Sequence, residues 1–119
     1  MSFGKLGEDI ILIGITPPVL PKSPDYKGVI NPKNQKSIVG SVITLDSRGS
    51  SAPNITPLDF YWQFTAVPIG SQVAKYGFLT HEPDASVVTF APDITGFYRI
   101  SMIMADVNFI SEAVEAEVY

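Results

Sequence analysis

The sequence contains no cysteine, which excludes disulfides and thiolate-ligated zinc. It has one histidine, His81. Beside Glu82 and Asp84 that imidazole would be a poor transition-metal site, because no second nitrogen or sulfur ligand accompanies it. His81 therefore reads as a loop residue. Charged residues make up only 17% of the chain, so its surface opposes docking against another protein less than a densely charged one would. Positive charge is scarcest where nucleic-acid binding would need it. Residues 37–119 hold three bases against nine acids, giving −6, while residues 1–36 hold five against three, giving +2. Phosphate contacts need clustered Lys or Arg, so nucleic acid is not an expected partner. No apolar run approaches the ~20 residues that span a bilayer, so no membrane insertion is expected.

The N-terminal run Ile10-Ile11-Leu12-Ile13 is too short for a secretory signal. Its flanks carry Glu8 and Asp9 as well as Lys5, and no small-residue cleavage site follows. The sequence therefore predicts a protein made in the cytoplasm that stays there or leaves as part of a particle. Residues 1–16 read as an arm, with Ile10 to Ile15 forming a strand apolar on both sides that needs cover on both faces. Residues 17–36 carry five of the ten prolines. Proline lacks an amide donor and fixes φ, so this stretch is expected to be an extended edge or linker. Val19 and Val29-Ile30 are expected to reach the core.

From residue 37 the pattern turns regular, and 45% hydrophobic with 11% aromatic residues can build a real core. A strand is expected over 38–46, with Ile43 and Leu45 inward. Leu58, Phe60, Trp62 and Phe64 stand on alternate positions, and so do Tyr98, Ile100, Met102 and Met104. Alternation puts each set on one face of a strand. Val88 with Phe90, and Val114 with Ala116 and Val118, mark two further strands. A weak edge strand is expected within 74–79. Strands recur about every ten residues with turn signals between them, so the expected fold class is all-β, an antiparallel sandwich of about seven strands over residues 17–119.

Ser41-Val42-Ile43-Thr44-Leu45-Asp46 is followed by Gly49-Ser50-Ser51, Pro53 and Pro57-Leu58 leading into Trp62. Val67-Pro68-Ile69-Gly70-Ser71 follows the Trp strand, and Phe90-x-Pro92-Asp93-x-x-Gly96-x-Tyr98 ends the pattern at Asp106. In their order these motifs resemble the polycystic-kidney-disease (PKD) repeat and its immunoglobulin-like relatives. The resemblance implies adhesion, spacing or mechanical support, and no catalysis. The acidic turn usual in the family is Ser51-Ala52-Pro53-Asn54-Ile55 here, which removes the acids that could bind metal.

No acid, base and nucleophile can be placed together, and no Gly-x-Ser-x-Gly turn is present, so no catalytic residue is expected. Asp46, Asp93 and Asp106 are expected to bond turn amides or end a strand; three scattered acids do not make a calcium site of about six oxygens. No cofactor is implied. Asn54-Ile55-Thr56 matches a glycosylation acceptor but precedes Pro57, and chance explains it. Tyr98 is expected to bond upstream backbone, as a corner tyrosine does in immunoglobulin-like folds. Tyr61, Phe97 and Ile103 point away from the core and could share an outer face. With Ile10, Ile11, Leu12 and Ile13 they are the candidate interface residues.

The functional expectation is a non-enzymatic structural or accessory component of a particle, a bacteriophage virion in its narrowest form. Its partners would be capsid or tail subunits or further copies of itself. The alternative is a carbohydrate- or matrix-binding module of a secreted or cell-surface protein, with Tyr61 and Phe97 stacking on surface glycans.

Overall fold

The computed structural model describes residues 17–36, 38–53, 57–81 and 85–119. The arm expected over residues 1–16, with Ile10, Ile11, Leu12 and Ile13, lies outside them, and so do the Asn54-Ile55-Thr56 acceptor and the Glu82 and Asp84 neighbours of His81. The described residues form β1 (Asn34–Gln35), β2 (Ile43–Asp46), β3 (Asp59–Ala66), the helical turn α1 (Val73–Tyr76), β4 (Thr80–His81), β5 (Val87–Phe90), β6 (Tyr98–Ala105) and β7 (Val114–Val118). One sheet runs β1-β7-β6-β3 and the other β2-β5-β4. All pairings are antiparallel except β1 with β7, which is parallel. The protein is mostly β.

The two long strands form as their alternation requires. Phe60 pairs with Met104, Trp62 with Met102 and Phe64 with Ile100. Tyr98, Ile100, Met102, Met104 and Trp62 are fully buried, and Phe60 nearly so. Leu45, Val88 and Phe90 face them from the other sheet, so a single core fills the space between the sheets. Aromatic geometry closes that core. Phe64 stacks on Phe78 at 4.8 Å and meets Phe90 edge-on at 5.1 Å, arrangements that the ring quadrupole favours. Trp62 donates its indole N–H to the Ala85 carbonyl at 2.6 Å, so its one polar atom is satisfied within the core.

Five expectations need correction. Val19 does not touch the core; it is 102% exposed, and Tyr26 and Ile30 are the buried residues of the proline-rich segment. That segment is also no free linker. Pro21 accepts from Ile110 N–H at 3.0 Å, Lys27 and Ser51 exchange two main-chain bonds, and Asn31 and Asp46 exchange two more. Proline removes donors only at its own positions, so the residues between prolines still pair with both sheets. The strand expected over 38–46 starts only at Ile43, because Ser41 N–H bonds back to Ile38 and Gly40 takes φ +91°. Finally, the stretch 74–79 is not an edge strand. Val73–Tyr76 makes one helical turn with Val73 buried, Gly77 ends it at φ 81°, and only Thr80–His81 pairs with β5. His81 thus lies on a short strand by its backbone rather than in a loop.

Trp62→Ala is expected to cost ~3–5 kcal/mol, the range for deleting a large core aromatic. Urea or thermal unfolding measures it. An unchanged midpoint would contradict the inward placement of the even residues of β3.

Candidate interaction face

The outer face of the four-stranded sheet is built by the odd residues of β3 and β6. Tyr61 stands opposite Ile103, and Gln63 opposite Ser101. Tyr61 and Ile103 are each half-buried. Phe97 shares this face, since the Arg99 guanidinium sits 5.2 Å over its ring. Phe97 and Ile103 are six positions apart, about 20 Å at the rise of a β-strand. The ground between is polar, because Arg99 approaches Glu115 at 3.7 Å and Glu117 at 3.6 Å across β7. The three predicted residues therefore occupy one face without joining into one apolar patch. The Arg99 pairs are part-exposed and screened, so they define the face more than they stabilise it.

At the Asp59 end of this face lies an open groove of about 510 Å³, lined by Pro18, Leu20, Pro57, Asp59, Tyr61, Asp106 and Val107. Partial burial raises the Tyr61 phenol above its ordinary pKa, and the Asp59 carboxylate adds to the effect. A second cleft, about 460 Å³, runs between Val73, Tyr76, Leu79 and Ala91 beside the α1 turn. Tyr76 and Leu79 stand exposed there.

The candidate ligating acids are dispersed and engaged. Asp46 accepts from the Arg48 amide at 2.8 Å and from its guanidinium at 2.7 Å. The Arg48 side chain is the main reason that its pKa falls below the usual carboxylate range. Asp93 accepts the Gln72 amide at 2.7 Å and the Ser71 hydroxyl at 2.6 Å, and these two bonds lower its pKa in that order. Asp106 is buried; one carboxylate oxygen takes the Asn108 and Phe109 amides at 2.8 and 2.9 Å, and the other takes the Tyr26 hydroxyl. Among the described residues no three His, Cys, Asp or Glu side chains come close enough to hold a metal ion. No described helix is long and apolar enough to cross a membrane.

Tyr98 holds the corner expected of it. Its hydroxyl donates to the Ile94 carbonyl and accepts the Ile94 amide at 3.1 Å. Gly96 is required at this corner: a Cβ there would meet Pro68 at 2.7 Å, and φ is +152°. The Tyr26–Asp106 clasp was not legible in the sequence. Tyr26 sits among prolines and pairs with a residue eighty positions away, and no local spacing signals such a contact.

Two outcomes follow for the corners. Tyr98→Phe leaves the Ile94 main-chain groups without their partner, and a loss of about 1–3 kcal/mol is expected in denaturant unfolding. Asp93 titrates lower in the folded chain than in the unfolded one, so its contribution is present above the ordinary carboxylate range and is lost as pH falls through the folded value. Stability should therefore decline from about pH 5 downwards. Asp93→Asn should give a shallower acid limb in pH-dependent melts; an unchanged slope would show that these bonds do not couple to folding.

No family model and no curated protein matches the chain. Among solved structures, it is similar to a nucleoside hydrolase-related hypothetical protein from Saccharophagus degradans that is associated with carbohydrate metabolism. That likeness has a TM-score of 0.60 at 13% identity, over 78% of this chain and 25% of the other. An alpha-galactosidase-related chain from Bacteroides fragilis aligns with a TM-score of 0.48 at 11% identity, over 87% of this chain and 19% of that one. The chain thus spans about a quarter or less of the structures it resembles, and the first likeness concerns the fold alone.

Proposed function

We propose that the chain is a non-enzymatic immunoglobulin-like module of the PKD kind, acting as a structural or accessory part of a particle, with a bacteriophage virion as the narrowest form of that reading. The observation that carries the module reading is the pair of anchors at Trp62 and Tyr98. A buried strand tryptophan facing the second sheet, with a tyrosine bonded back to upstream backbone, is the core arrangement of immunoglobulin-like sandwiches. The strand orders fit as well, with β3, β6 and β7 in one sheet and β2, β4 and β5 in the other. The non-catalytic reading is supported by how the acids are used. Asp46, Asp93 and Asp106 each bond turn amides, and a reactive group needs a free partner in a cleft.

The particle reading draws on the low share of charged residues and on the arm, whose apolar run Ile10 to Ile15 would anchor the module to a neighbouring subunit. Among the described residues, main-chain bonding of the sandwich begins at Pro21, and no described pairing uses residues 1–16. The truncated protein is expected to melt within a few degrees of the full chain but to fail to join purified particles in co-sedimentation. A truncated chain that still assembles normally would defeat the anchoring role; one that melts far lower would assign the arm to the sandwich.

One observation favours a second reading. Tyr61 lines an open groove beside the exposed Asp59 carboxylate, and an aromatic face with a nearby acceptor suits a sugar ring. A glycan array showing saturable binding that Tyr61→Ala abolishes would support the carbohydrate-binding module over the particle component.

A further inference from the structure

β3 is the edge of its sheet, with β6 as its only neighbour among the described residues. The direction of its main-chain groups can be worked out. Met104 donates its N–H to the Ser111 hydroxyl at 3.0 Å and accepts from the Ser111 amide at 2.8 Å. Both groups of Met104 thus point away from β3. In an antiparallel ladder, opposed residues either exchange both bonds or both turn outward. Phe60, opposite Met104, therefore turns its N–H and C=O to the open side. The alternation repeats for Trp62 and Phe64.

Long open edges are templates for another strand, and proteins usually blunt them with lysine, proline or inward-facing charge. Residues 60–66 contain none of these, and the only charge on β3 is Asp59 at its start. By contrast, the opposite edge, β1, is just two residues long. A register shift between Phe64 and Ala66 ends regular pairing on the far side. Among the described residues, the edge available for pairing therefore centres on Trp62.

We propose that β3 pairs antiparallel with β3 of a second copy of this chain, about a two-fold axis at Trp62. In that register Phe60 faces Phe64 of the other copy, and Trp62 faces its own equivalent. Each is a pair of the kind that exchanges both main-chain bonds, so every outward group of the three residues is matched. On the outer face Tyr61 comes opposite Gln63 of the other copy, and Asp59 opposite Thr65. No like charges meet, which is the electrostatic condition for self-pairing. The interface is isologous and closed, as a two-fold dimer requires. It uses one strand and continues the sheet from one sandwich into the next. The inference stands whether or not the protein belongs to a particle.

Sedimentation of the full chain at increasing concentration should approach twice the 12.9 kDa monomer mass. The register itself is tested by charge. Tyr61→Lys with Gln63→Lys places two lysine pairs across the axis, and Tyr61→Glu with Gln63→Glu places two glutamate pairs there. Each variant alone should sediment as a monomer, while an equimolar mixture should recover the doubled mass as a one-to-one heterodimer. A monomeric unmodified chain, dimers persisting in both variants, or a mixture that stays monomeric would each overturn the proposal. Amide exchange gives a readout that does not depend on the variants folding. Protection at Phe60, Trp62 and Phe64 should rise with protein concentration in the unmodified chain. Protection that is absent, or equally strong at every dilution as an occupant from the same chain would make it, would refute the second copy as partner.

Discussion

The structure depends on burying one indole without stranding its N–H. Trp62 lies between the sheets with no exposed surface. Burying it yields the largest apolar gain available to a single side chain here, provided that its nitrogen finds an acceptor. The Ala85 carbonyl supplies one, and Ala85 takes φ 64°, a conformation uncommon outside glycine. The approach to β5 is therefore shaped around the tryptophan. The connection from β3 follows from the same constraint, since Phe78 must pack against both Trp62 and Phe64. A helical turn and a very short β4 bring Phe78 there, where a regular edge strand would not.

Polar groups at the ends of the sandwich work on turns. The Tyr98 hydroxyl, the Asp93 carboxylate and the glycine at 96 close one end; the Tyr26 hydroxyl and Asp106 close another. In each case a side chain satisfies amides that no strand can reach, so the loops keep their bonds without regular pairing. That use also governs chemistry. Asp46 and Asp93 each accept several bonds from their own fold, and those bonds hold their carboxyls below the usual carboxylate range.

That outer face shows how an even alternation divides into separate regions. Tyr61 and Ile103 meet across β3 and β6, whereas Phe97 lies under Arg99 among the acids of β7. The groove at the Asp59 end and the open side of β3 are contiguous with Tyr61. These surface features thus gather around one strand.

Alternation alone determined the two long strands, the inward residues from Phe60 to Met104, the β class of the fold and the core positions of Trp62 and Tyr98. Period-two burial is a local property, so each strand carries it in its own residues. Tertiary structure decided the rest: that the proline-rich segment is laced to both sheets, that Val19 is outside and Tyr26 inside, that residues 73–76 coil, and that Tyr61 and Phe97 are kept apart. Among the described residues it also placed β3 at an edge, with its Phe60, Trp62 and Phe64 amides turned away from β6. These depend on which strand lies beside which and on side chains meeting eighty residues apart. A two-residue periodicity holds no record of such pairings, because strand order is set by the packing of the whole core.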